Sequence, residues 1–118
     1  MGMTKTVTID GMEVPFRASA AIPRLYRLRF RRDIFADLAK LSEETAKNDE
    51  NNSFLDADTL TAFESIAYIM AKHADPSIPN SPEEWLDGFS TFSIYQVLPQ
   101  ILELWGLNME STAISKKN

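Results

Sequence analysis

The side chains best able to do chemistry crowd between Arg24 and Asp37, where Arg24, Arg27, Arg29, Arg31 and Arg32 alternate with large apolar residues. Guanidinium groups bind carboxylates and phosphates, so an arginine-rich amphipathic segment can serve RNA, a membrane surface or an acidic protein partner. No Gly-rich phosphate loop or aromatic platform accompanies the run, which argues against nucleic acid. The other reactive types are scarce. His73 is the only histidine, and the absence of cysteine removes thiol nucleophiles, disulfides and thiolate zinc sites together. No Ser/His/Asp triad can be assembled, and His73, near a helix C-terminus where the dipole favours its charge, reads as a capping or surface residue. Asp49, Asn51 and Ser53 alternate as in a calcium loop. The match fails because Phe54 stands where such a loop needs glycine, and Leu60 where it needs a bidentate carboxylate. The expectation is a protein without catalytic residues, metal or cofactor.

The elements that must position the arginines can be read in order. Lys5 to Ile9 alternates polar and apolar residues, Asp10-Gly11 supplies a two-residue turn, and Met12 to Phe16 returns, which predicts a β-hairpin over about 5–16. Val7, Ile9, Met12, Val14 and Phe16 would pack on helices, with Pro15 on an outer edge as a small lid or a site for a partner strand. Ala20 to Leu41 then reads as one long helix, with Ser19 as its cap and Pro23 in its first turn. Ile22, Tyr26, Phe30, Ile34, Leu38 and Leu41 form its core stripe, and Arg29/Asp33 is an i,i+4 pair. Leu25, Leu28 and Phe35 lie on another side, and Arg24, Arg27 and Arg31 run along a further edge. A helix apolar on two sides packs against neighbours on both, so these six residues are the candidate partner-binding set.

Residues 42–53 are polar. A helix capped by Asp56 or Asp58 follows, running to about Ala74 with Leu60, Phe63, Ala67 and Met70 inward. Ser81-Pro82-Glu83-Glu84 is a capping box for a short helix anchored by Trp85, and its acids suit a helix start. A last helix around Ile94 to Trp105 must bend or split at Pro99. The fold class expected is mainly α: a small domain of three to four helices with an N-terminal β-hairpin, spanning residues 1–107, followed by a disordered tail over 108–118.

The totals agree with one domain of 118 residues, 44% hydrophobic. A formal charge of -5 excludes a general basic excess. Residues 1–41 nonetheless carry eight Lys/Arg against four Asp/Glu, and residues 42–118 carry four against thirteen. Internal pairing between the halves is the simplest outcome, and head-to-tail association of copies is the other. No apolar run reaches the roughly 18 residues of a membrane span, and the N-terminus lacks a signal-peptide core, so a cytosolic protein is expected.

The runs TVTIDGMEVPFRASAAIPRLYRLRFRRDIFADLAKL, AYIMAKHADPSIPNSPEEWLDGF and FSIYQVLPQILELW resemble the tail assembly chaperones of long-tailed bacteriophages and prophages of Gram-positive hosts. The resemblance covers Thr6 to about Leu107 and is most specific in the DG hairpin leading into PRLYR and RRDIF, and in SPEEWL. It implies a non-catalytic assembly factor of the host cytoplasm. Such a factor binds the tape measure protein, keeps it soluble, helps recruit tail tube subunits, and is absent from the mature virion. Self-association into open or spiral oligomers is expected on the same grounds. The family often has a longer form made by frameshifting, and Lys116-Lys117-Asn118 can be encoded by an A-rich slippery run. The alternative is a small nucleic-acid-binding regulator using Arg24, Arg27 and Arg31.

Overall fold

The computed structural model describes residues 3–47, 56–90 and 93–106. The hairpin forms for local reasons. Asp10 (φ 53°) and Gly11 (φ 79°) both take the left-handed conformation that a tight turn between twisted strands requires. The turn joins β1 (Met3–Ile9) to β2 (Met12–Ala18) with Val7 opposite Val14 and Ile9 opposite Met12. Val7, Ile9, Val14, Phe16 and Ala18 are buried against the helices. Met12, expected among them, is 45% exposed and lines a surface slot, although Ile9 opposite it is buried. The Asp10 carboxylate accepts from the Ser90 N–H at 2.7 Å and from the Ser93 hydroxyl at 2.9 Å, tying the turn to the distant 90–93 segment. Those hydrogen bonds, the Ser90 backbone one foremost, hold its pKa below the usual carboxylate value.

The long helix expected over Ala20–Leu41 is two helices, α1 (Ile22–Phe30) and α2 (Ile34–Lys47). Arg31 closes α1 in the left-handed region at φ 57° while donating its N–H to the Arg27 carbonyl. The Asp33 side chain then accepts from the Phe35 N–H at 3.0 Å, a local bond that competes with helix continuation and starts α2 afresh. The Arg29/Asp33 pair therefore does not form. Ser19 is not the helix cap either: Ala21 holds that position, and the Ser19 hydroxyl accepts from the Ala21 N–H while meeting His73 Nε2 at 3.1 Å. A buried knot sets the angle between the two helices. Tyr26 donates to Asp37 Oδ2 at 2.6 Å, and Arg32 grips both Asp37 oxygens at 2.8 and 2.9 Å. Burial pushes the Asp37 carboxyl up, but the bonds from Arg32 and Tyr26 outweigh it and leave the group below its ordinary value.

α3 (Ala57–Ala74) is the central element, in contact with β2, α1, α2 and α4. Asp56 is its cap, accepting from the Thr59 N–H at 2.8 Å. Phe63, Ile66, Tyr68 and Met70 are fully enclosed. The connector from Asp75 is pinned by Lys72, whose ammonium donates to the carbonyls of Pro76 and Ile78 and to Asn80 Oδ1. Ser81 caps α4 (Pro82–Leu86), where Trp85 packs edge-on to Phe16 and Phe89 and against Tyr68. Pro99 splits the last segment as its missing N–H demands. A 3₁₀ turn covers Ser93–Val97, and α5 (Leu98–Leu104) begins with that proline in its first turn. The domain is thus mostly helical with an N-terminal hairpin. Its described residues hold five α-helices rather than three or four, because the helix expected over Ala20–Leu41 breaks at Arg31–Asp33. The polar stretch at 48–55 and the tail expected over 108–118 lie outside the described residues.

Candidate partner-binding face

α1 projects from the domain with its inner stripe, Ile22 and Tyr26, fully buried and the rest of its circumference largely open. The neighbouring elements leave a groove on each flank. The first, of about 450 Å³, is lined by Leu25, Leu28 and Arg29 of α1 and by Ile69, Lys72 and His73 of α3. The second, of about 570 Å³, is lined by Pro23, Arg27 and Arg31 with Arg32, Asp33 and Phe35. The six residues singled out in the sequence are therefore all at the surface, but not as one patch. Leu25 and Leu28 share the first groove, whereas Phe35 faces the second, set edge-on to Trp105 with ring centroids 6.4 Å apart. Arg24, exposed on α1, lines neither groove.

Exposure separates these side chains from ordinary surface residues. Leu28 is 62% exposed, Phe35 59% and Leu25 36%, three of the five large hydrophobic side chains left open among the described residues. Scattered exposed leucines need no explanation, yet three on adjoining helices, beside grooves, form a surface suited to an apolar partner.

The arginines divide by use. Arg29 donates to the Asn80 carbonyl and lies over the Tyr68 ring at 5.1 Å, and Arg32 belongs to the Asp37 knot. Arg24, Arg27 and Arg31 have neither an ion pair nor a hydrogen-bonded side-chain partner among the described residues. Internal pairing of the two halves is thus partial. Lys5–Glu103 at 3.5 Å, Lys40–Asp58 at 3.0 Å and Arg32–Asp58 at 3.9 Å join them, while Arg24 and Arg27 on α1, and Arg31 just past its end, have no ion pair among the described residues.

His73 departs from its expected character. Burial, and then the nearby positive charge of Arg17, lower its pKa, so the neutral ring is favoured over the charged form that the helix dipole alone would select. Sequence reading missed Ile69, Lys72 and His73 as groove walls, although their i, i+3, i+4 spacing places them on one face of α3. It also missed the Tyr26–Asp37–Arg32 knot, whose separations follow no single helical period. Among the described residues, no group of three or more His, Asp or Glu is placed to hold a metal ion. No helix among them is long and apolar enough to cross a membrane. Comparison with protein-family models, with curated proteins and with solved structures returns no match.

Proposed function

We propose that the protein is a tail assembly chaperone of a long-tailed bacteriophage or prophage, binding the tape measure protein during tail assembly in the host cytoplasm. The observation that carries this reading is the α1 face: exposed Leu25 and Leu28 on one flank, Phe35 on the other, and unpaired Arg24, Arg27 and Arg31 beside them. Apolar grooves of this kind accept amphipathic helices, and the arginines favour a helix bearing acidic residues. A tape measure protein is a long helical chain whose exposed apolar stripes need such cover. The role asks for no catalysis, only a rigid platform with an open apolar face, and α3 supplies the platform. Recruitment of tail tube subunits, through a longer frameshifted form of the chain, belongs to the same reading. The nucleotide sequence around Lys116-Lys117-Asn118 tests that part, since codons without a slippery heptamer remove it.

The direct test is co-purification with a helical fragment of the tape measure protein. Retention in salt high enough to screen surface charges is expected from an apolar groove. Binding that vanishes steeply with salt, and is competed by RNA or DNA, would instead favour the nucleic-acid regulator.

A further inference from the structure

The cations on the two flanks of α1 differ in whether their donors are already spent. In the groove beside Leu25 and Leu28, Arg29 donates to the Asn80 carbonyl, and Lys72 donates to the Pro76 and Ile78 carbonyls and to Asn80 Oδ1. In the cavity of about 570 Å³ on the other flank, Arg27 and Arg31 have no ion pair among the described residues. Arg32 beside them commits Nε and Nη2 to Asp37, which leaves its Nη1. Asp33, the one acid in this lining, already accepts from the Phe35 N–H through Oδ1. Arg17 and Arg24 also lack ion pairs, yet neither lines this cavity. Arg31 has a second peculiarity. It closes α1 at φ 57°, a conformation that glycine takes freely and an arginine only under strain. Its side chain is exposed and takes no part in the core, so a strained backbone here carries a guanidinium group that folding does not use.

We infer that this cavity is a carboxylate-binding site for an acidic peptide segment, with Arg27 and Arg31 each pairing with one acid and Arg31 deciding specificity. Pro23 and the 59% exposed Phe35 line the same cavity and offer apolar cover to the stems of those acids. A guanidinium fork matches a carboxylate in bidentate fashion. Two such forks on separate side chains suit two acids of one peptide, whereas a single compact anion needs only one place. The inference rests on the reading of α1 as a partner-binding ridge and divides that ridge by chemistry. The Leu25 and Leu28 flank takes apolar side chains, its cations being spent on the 76–80 connector, and the Arg27 and Arg31 flank takes acids. Contacts of the first kind persist in salt, and those of the second weaken with it.

Fluorescence anisotropy tests it, with a labelled helical peptide that carries glutamates along one face and a control peptide with glutamine in their place. The unaltered protein should bind the first, more weakly as salt is raised, and bind the second at least tenfold less tightly. Arg27→Glu with Arg31→Glu, checked for folding by circular dichroism, should abolish binding. Arg31→Gly should weaken it about fivefold, the worth of roughly one exposed ion pair, without lowering the unfolding midpoint. That combination separates a binding role from a structural one. Leu25→Ser with Leu28→Ser, which leaves charge unaltered, should not change binding of the glutamate peptide. Failure here therefore stays distinct from failure of helix binding on the other flank. Equal affinity for the two peptides, undiminished binding by the folded double-glutamate variant, or tighter binding of an RNA oligonucleotide than of the glutamate peptide at the same salt would overturn the proposal.

Discussion

α1 packs directly on α3, yet the two helices obey different rules. α3 has a cap that bonds, a long run of enclosed side chains and neighbours on every side. α1 has a cap position without a side-chain bond, two buried residues, and an end held by an arginine in a conformation that favours glycine. Folding alone accounts for every large residue of α3. On α1 it accounts for Ile22 and Tyr26, leaving Leu25, Leu28 and the three unpaired arginines without a role inside the molecule. The difference teaches where function is to be sought: on the helix the fold holds by one face only.

The comparison can be broken at four points, in falling order of effect. Phe63→Ala, in the fully enclosed middle of α3, should cost about 4 kcal/mol by removing a large ring from a packed site. Denaturant unfolding measures it, and a loss near 1 kcal/mol would mean that α3 is less central than its burial implies. Asp37→Ala should cost about 3 kcal/mol, since it strands the buried Tyr26 hydroxyl and releases Arg32, freeing α1 from α2. Acid should act on the same knot. Its carboxyl is held below the ordinary value, so the stability it contributes is present above the unfolded carboxylate range near pH 4 and is lost as the pH falls through the folded pKa. Arg31→Gly should stabilise by about 0.5 kcal/mol, the relief of left-handed strain slightly exceeding glycine's added freedom when unfolded. A loss at that position would show that the Arg31 side chain holds α1 in a way its open setting does not reveal.

His73 gives the smallest effect and an isolated one, because no other histidine titrates near it. Its folded pKa is lowered, so below about pH 6.5 the unfolded chain takes up a proton that the folded chain resists, and stability falls until the folded pKa is passed. Unfolding curves between pH 5 and 7, flattened by His73→Asn, check the sign.

Much of this architecture was legible from local chemistry. Asp10-Gly11 made the hairpin readable, Ser81-Pro82 marked the start of α4, and Pro99 marked the split before α5. The break between α1 and α2 was hidden because it breaks no local rule. Phe30 and Ile34 keep helical spacing across it, no glycine or proline marks it, the local Asp33–Phe35 bond is one that an aspartate inside a helix need not make, and the Tyr26–Asp37 bond that fixes the break joins one helix to the other. Leu25, Leu28 and Phe35 are exposed, yet their division into two flanks was not visible, since the position of Phe35 follows from that same break. A surface slot lined by Glu13, Pro15, Trp85 and Phe89 joins β2 to the segment around α4, about 70 residues away, which periodicity does not relate.

The central claim, that α1 carries its partner on an apolar face the fold does not need, is tested most directly by Leu25→Asp combined with Leu28→Asp. Denaturant unfolding should move by no more than about 0.5 kcal/mol, as for other open surface sites, while affinity for a tape measure fragment falls at least tenfold. Binding and stability both unchanged would contradict the account.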